Sequence, residues 1–231
     1  HSLDRRQRQM CIRDSCVISQ TGFTGEKGYE IYVRDAHENA ELVWNAVLEA
    51  GEEFGLMVIA PAHHRRIAAG ILSWGQDLDH ETSPFQVNLA YQVPRNKEAD
   101  YIGKEELERQ RAVMDAGDAP FKMKMVGITL GGKEITDYAP DFWLIADSDG
   151  KDVGYITSPW WSPELETNIA LAWVPWTSSE IGTKFQVRLP DEYSETSGVP
   201  VGAEVVDVPF RESVNPNKRE VQKEKGLDYA D

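Results

Sequence analysis

"TGFTGEKGYEIYV", residues 21–33, decides how the amino-terminal part of the chain is read. Gly22, Gly25 and Gly28 punctuate a turn, and the run after them alternates as a strand does. With "CVISQ" in front of it, the stretch reads as strand, turn, strand. A period of two places Tyr29, Ile31 and Val33 on one face and Glu30 and Tyr32 on the other. Glu30 is therefore a single carboxylate in an apolar run. From the residues alone it is either a solvated strand side chain or an acid aimed into a cavity, because glutamate is seldom buried without a partner.

Downstream, "DAHENAELVWNAVLEAG" predicts a helix over 35–51. Asp35 stands as N-cap, with Glu38 completing a capping-box variant. Ala40, Val43, Trp44, Val47 and Leu48 form one apolar stripe, and Gly51 is placed to end the helix. "LMVIAPAHHRRIAAGILSWGQDLD" opens with a short apolar run. Pro61 then suits the first turn of a helix running through Arg66 to about Trp74 and ending at Gly75. "IGKEELERQRAVMDAG" predicts a charged helix after Gly103, its charges forming a solvated face.

Composition changes after Gly117. "KMVGITL", "DFWLIAD", "VGYITS", "NIALAWVP", "TKFQVRL" and "EVVDVPF" are short β-type runs separated by turns such as "DSDGKD" and "SPEL". Short strands with little helix between them predict an antiparallel sandwich or barrel, with a domain boundary near 117–122. The end, "RESVNPNKREVQKEKGLDYAD", reads as a polar tail over 213–231. The beginning, "RRQRQMCIRDS", has no amphipathic period and resembles sequencing-adapter read-through. Residues 1–15 are accordingly expected to be a non-native leader.

With 231 residues the chain is long enough for a substantial core. A net charge of −15 argues against binding a phosphate backbone, and no apolar run approaches the ~20 residues of a membrane span. Cys11 and Cys16 are the only cysteines, so neither a disulfide framework nor a zinc cluster is expected, and a cytoplasmic location is the default. Phosphate-binding glycine motifs, H-E-x-x-H and G-x-S-x-G are absent. His63 and His64 read as ordinary histidines on a surface helical turn, Arg65 as solvated, and His80 as part of a turn; no metal site is expected.

Three segments in order then carry a likeness. They are "TGFTGEKGYEIY", "RRIAAGILSWGQDLDHETSPFQVNL" with "ADYIGKEEL", and "VGYITSPWWSPELETNIALAWVP". In them the chain resembles the folate-binding aminomethyltransferase superfamily, typified by the T-protein of glycine cleavage, over about residues 17–212. The resemblance implies an α+β fold: the second half of a folate-binding α+β domain over 16–118, then a carboxy-terminal antiparallel β-barrel over 119–212. It implies tetrahydrofolate as cofactor and one-carbon transfer to a folate nitrogen. The family's catalytic aspartate belongs to the amino-terminal half, so no residue of this sequence is expected to be the catalytic acid.

By the same resemblance Glu30 is the glutamate that binds the pterin, whose adjacent N–H and amino groups suit a carboxylate. Phe23 takes the aromatic position lining the folate cavity, with core packing as its other reading. Tyr29 is a weaker candidate that is expected to pack in the core. Arg66 matches an arginine near the folate, and it reads equally as a surface helical arginine. Trp74 stands where a ring could cover the ligand, or pack in the core.

Ala62 and Ala68 replace an arginine and a glutamate of the glycine-cleavage pattern. The second segment is closer to the tetrahydrofolate-dependent demethylase branch, which takes methyl groups from sulfonium compounds or aryl ethers. Expected partners are a small methyl or aminomethyl donor and, for an aminomethyltransferase, a lipoyl carrier protein. The folate domain of a dimethylglycine or sarcosine dehydrogenase is a related alternative. So is a non-catalytic folate-binding protein of iron–sulfur assembly, but "DYIGKEEL" lacks that branch's cysteine.

Overall fold

The computed structural model describes residues 9–10, 16–60, 63–95 and 97–211. The expected tail over 213–231 and most of the expected leader lie outside them. Two compact units divide at Ala62/His63. The sequence places its boundary near 117–122, where the barrel begins, whereas the structure groups residues 63–118 with the barrel.

The first unit holds three short antiparallel strands, β1 (Gln9–Met10), β2 (Cys16–Ser19) and β3 (Glu30–Val33), in the order β1-β2-β3. Within the stretch 1–15, given no structural role from sequence, Gln9 and Met10 thus pair with Ile18 and Val17. Ser19 sits opposite Glu30, which fixes the face that Glu30 occupies. Helix α1 (Ala36–Gly51) follows. Its cap differs from expectation: Asp35 has φ 48° and makes no side-chain cap bond. Its carbonyl instead takes the Glu38 and Asn39 amides. Nor does Gly51 end the helical path. A 3-10 turn, Glu52–Phe54, carries it on to Gly55 at φ 71°. What Gly51 provides is room, because Leu56 packs where a Cβ would stand and its N–H donates to the Gly51 carbonyl at 3.0 Å.

In the second unit α2 (His63–Ala68) is short. The apolar pattern predicts a helix to Trp74, but Gly70 at φ 69° closes it. The Ile71 amide reaches back to the Arg66 carbonyl (2.8 Å) and that of Gly70 to Ile67 (2.9 Å), a left-handed C-terminal closure that favours glycine. Helix α3 (Lys104–Asp115) begins after Gly103 and closes the same way, with Asp118 N–H on Val113 O at 3.1 Å. Gln110 accepts from Ser83 Oγ at 2.6 Å, tying α3 to the loop that buries Phe85 and Val87.

Six strands then close into an antiparallel barrel: β4 (Met123–Leu130), β5 (Trp143–Ala146), β6 (Asp152–Ser162), β7 (Thr167–Pro175), β8 (Lys184–Val187) and β9 (Val201–Val206). Their order is β4-β7-β6-β5-β8-β9, with β9 returning to β4. Of the two architectures left open by the strand pattern, the barrel is the one formed. Alternation explains the core: Val126, Ile128, Ala170, Ala172 and Val174 point inward. Met125, Ile169, Leu171 and Trp173 point outward and are covered by Ile67, Ala68 and Phe210. Strand β6 runs on through Pro159, past the last β5 pairing at Ile156 and beside a bulge at Ile156/Ser158. A residue without an N–H is tolerated there. No helix among the described residues is long and apolar enough to cross a membrane.

Candidate functional site

Glu30 opens β3, half-buried, and its carboxylate is held from two sides. Thr21, at the start of the long turn, donates its hydroxyl to Oε2. Tyr32, two residues on and therefore on the same face, donates its phenol to the same oxygen at 3.0 Å. With Oε2 engaged twice, Oε1 has no hydrogen bond among the described residues. Two hydroxyls thus orient a carboxylate that keeps one oxygen available. Such a group can accept an N–H from an amide, an amidine-like edge or an amino group, and the contact is charge-assisted.

Phe23 and Tyr29, the expected aromatic neighbours, are both exposed in this unit, so Tyr29 is not a core residue. The sequence left Thr21 and Tyr32 out of the site. Tyr32 had a signal, since it shares the Glu30 face by period, whereas Thr21 is brought there only by the turn.

Arg66 lies in the second unit and is 1% exposed. All five of its N–H groups are matched by protein acceptors. Nη1 donates to Asp77 Oδ2 at 2.6 Å and to Ile71 O at 3.1 Å. Nη2 donates to Ser158 Oγ at 2.7 Å and to Gln76 Oε1 at 3.3 Å, and Nε donates to His63 Nδ1 at 3.4 Å. Asp77 is equally complete. Its Oδ1 accepts from Thr157 Oγ1 (2.6 Å) and Ser158 Oγ (2.5 Å), and its Oδ2 accepts from the Ser73 amide (2.8 Å) as well as from Arg66. Trp173 Nε1 adds a bond to the Asp77 carbonyl at 3.0 Å. The pair is a clasp fastening α2 and the 73–78 turn onto β6. No guanidinium N–H is left without a protein acceptor, and the surface reading of Arg66 does not describe this position.

His63 is buried beside the clasp, contrary to its reading as a surface histidine. Its ring meets those of Tyr138 (4.5 Å between centroids) and Trp160 (5.1 Å). Burial first, then the Arg66 charge, lowers its pKa from 6.5 to about 4, so the ring is neutral at pH 7. Arg65 is half-buried rather than solvated. Trp74 is 67% exposed, which removes core packing as its role, with His80 at 6.4 Å as ring neighbour. The turn at 79–82 is built by Asp79, whose Oδ1 takes the Glu81 amide at 2.9 Å, and not by His80. No group of three or more His, Cys, Asp or Glu that could hold a metal occurs among the described residues.

Asp77, Thr157 and Ser158 were not found from sequence. A buried arginine demands a carboxylate, and "DLD" at 77–79 offered two. Nothing local pointed to hydroxyls on a strand some eighty residues away.

Comparison with known proteins agrees with this architecture. The family described as the GCVT N-terminal domain matches residues 4–97, and the glycine cleavage T-protein C-terminal barrel domain matches residues 124–211. The first match begins inside the expected leader. The chain is 33% identical over 196 residues to an aminomethyltransferase of Geobacillus sp. (strain WCH70), spanning 84% of this chain and 49% of that protein. It is 35% identical over 176 residues to one of Clostridium botulinum (strain Okra / Type B1), spanning 75% and 44%. With the aminomethyltransferase of Bacillus subtilis (strain 168), identity is 32% over 196 residues. The crystal structure of glycine cleavage system aminomethyltransferase T from Bartonella henselae is similar in fold, with TM-score 0.67 and 22% identity over 86% of this chain and 50% of that one. The chain thus spans about half the length of the curated relatives it matches.

Proposed function

We propose, from the premise that this chain belongs to the glycine cleavage T-protein family, that it forms part of a tetrahydrofolate-dependent one-carbon transferase. The observation that carries the reading is Glu30, a carboxylate oriented by Thr21 and Tyr32 with Oε1 left to accept. That donor-seeking oxygen fits the N–H and amino groups along a pterin edge. Tetrahydrofolate, when bound, supplies the nucleophilic nitrogen that receives the carbon. Glu30 would bind and orient the heterocycle, so the contribution of this chain is proximity and alignment rather than proton transfer. Phe23 and Tyr29, in the same unit as Glu30, are exposed aromatics suited to lie along a flat ligand. Arg66 acts on the fold through the clasp.

The names of the relatives favour an aminomethyl group as the transferred unit, for which the family resemblance implies a lipoyl carrier protein as donor. One observation favours the second reading, a demethylase taking methyl groups from a small donor. Ala68, where the glycine-cleavage pattern carries glutamate, is packed in an apolar cluster with Ile67, Val87 and Phe210, so no carboxylate serves that point.

The test is tetrahydrofolate binding to the 231-residue chain, titrated to millimolar concentration and followed by ligand-observed NMR. Glu30→Gln is expected to weaken binding about 10- to 100-fold, the worth of one charge-assisted contact. Equal binding by the parent and Glu30→Gln, or no binding by the parent, overturns the reading.

A further inference from the structure

Lys124 stands on β4 in step with Val126 and Ile128 of the barrel core, so strand alternation carries its side chain to the inner face. It sits at one end of that face, opposite Val174. Beyond Val174 the chain leaves β7 through Pro175 into a 3-10 turn, Trp176–Ser178. The Trp176 amide donates to the Lys122 carbonyl at 2.9 Å, which fastens this turn against β4. The indole is thereby set against the Lys124 amine, with Nζ 5.2 Å from the ring centroid. Phe121 flanks the same indole at 6.0 Å.

An ammonium is poorly served in this place. Lys124 is half-buried, and among the described residues no carboxylate or hydrogen-bond acceptor pairs with it. The indole face attracts a cation, yet it replaces little of the hydration that three N–H donors lose. The other described lysines are better placed. Lys104 is also half-buried, but it has the Lys97 carbonyl at 2.7 Å and Glu108 at 3.9 Å. The rest are exposed, including Lys97, which lies over the Tyr101 ring at 5.1 Å but in water. Burial therefore acts on Lys124 unopposed and pushes its pKa below the ordinary lysine value.

Two chemical consequences point the same way. More of this side chain is free amine at neutral pH, and nucleophilicity falls only about half as steeply as basicity, as measured for thiolates. The gain in free amine outruns the loss in reactivity. Conversion to an amide also removes the charge that burial opposes.

We infer that Lys124 is an acyl-acceptor site, a lysine that takes a small acyl group from an acyl phosphate ahead of the exposed lysines. In this step the Nζ lone pair forms a bond to the acyl carbon, and the bond from that carbon to the phosphate oxygen breaks. Inorganic phosphate departs and the nitrogen releases a proton to water. The product is a neutral amide lying against Trp176. This goes beyond the folate reading and does not depend on it.

The experiment treats the 231-residue chain with acetyl phosphate at neutral pH to low conversion. Acetylation is followed lysine by lysine with peptide mass spectrometry, in the folded chain and in concentrated urea. Lys122, two residues away and exposed, and Lys97, on a ring in water, are the references. In the folded chain Lys124 should react at least about twofold faster than either. In urea the three should react alike, because the setting that distinguishes them is gone. A folded-state advantage below twofold over either reference overturns the inference. So does an advantage that survives in urea, which would assign it to the local sequence. Neither tetrahydrofolate nor Glu30 enters the readout, so failure here leaves the folate reading standing.

Discussion

Arg66 Nη1 lies 2.6 Å from Asp77 Oδ2, with side chains 2% and 0% exposed. Two ions so far from water are favourable only while each completes the other's hydrogen bonds. Asp77→Ala is expected to destabilise the barrel unit by about 3–5 kcal/mol, because the guanidinium is left buried without a counter-charge. Arg66→Lys should also destabilise, since an ammonium cannot fill five acceptor positions in a plane. The double change Arg66→Met with Asp77→Leu should cost less than the sum of the single losses. Urea unfolding followed by tryptophan emission measures all of these.

His63 makes the same unit sensitive to mild acid. Its folded pKa is about 4 against 6.5 unfolded, so unfolding takes up a proton between those values. The stabilising preference for the neutral ring is fully present above pH 6.5 and is lost as pH falls towards 4. The shift corresponds to about 3 kcal/mol at most. Arg66 and His64 oppose protonation and Asp77 favours it, with burial the largest cause. The midpoint of urea unfolding should fall across this window, and His63→Gln should flatten the slope.

Two barrel glycines are fixed by close approach rather than by φ. A Cβ at Gly154 would meet the Trp173 carbonyl, and one at Gly127 would meet Val208 and Phe210. Backbone cannot yield as a side chain can. Gly154→Ala should therefore lower stability by about 3 kcal/mol and Gly127→Ala by less, as thermal melts would report.

Thr21→Val and Tyr32→Phe each remove one hydroxyl from Glu30 Oε2. Each should weaken tetrahydrofolate binding severalfold, and the pair should be non-additive because both act on one carboxylate. By contrast Trp74→Ala, at an exposed ring, should change stability by less than about 0.5 kcal/mol. A calorimetric scan of each variant beside a folate titration separates the two effects.

The barrel was legible because its strands alternate and its turns carry glycine, aspartate and proline. Five of the six sequence runs fall on β4 to β8, while β9 begins earlier, at Val201, than the "EVVDVPF" run at 204–210. Helix α1 was legible for the same reason of period. What failed needed distant neighbours. "IAAGILSW" keeps a helical pattern past Gly70, yet a Cβ there would strike Val208, a contact no local window contains. Arg66 could be singled out, but its place was settled by Asp77 and Ser158, eleven and 92 residues away. Strand alternation placed Glu30 on the face it shares with Tyr32, and the hydroxyl of Thr21 arrives there only because a turn of ten residues closes as it does.

The closure of six strands into a ring gives every strand of the described carboxy-terminal barrel a paired neighbour on each side. Sticky encounters between newly made copies should accordingly arise from the other module, where, among the described residues, the three short strands end in an open border. Manufacture of this polypeptide in quantity is then a question of shielding that border, for instance with a chaperone, while the ring looks after itself.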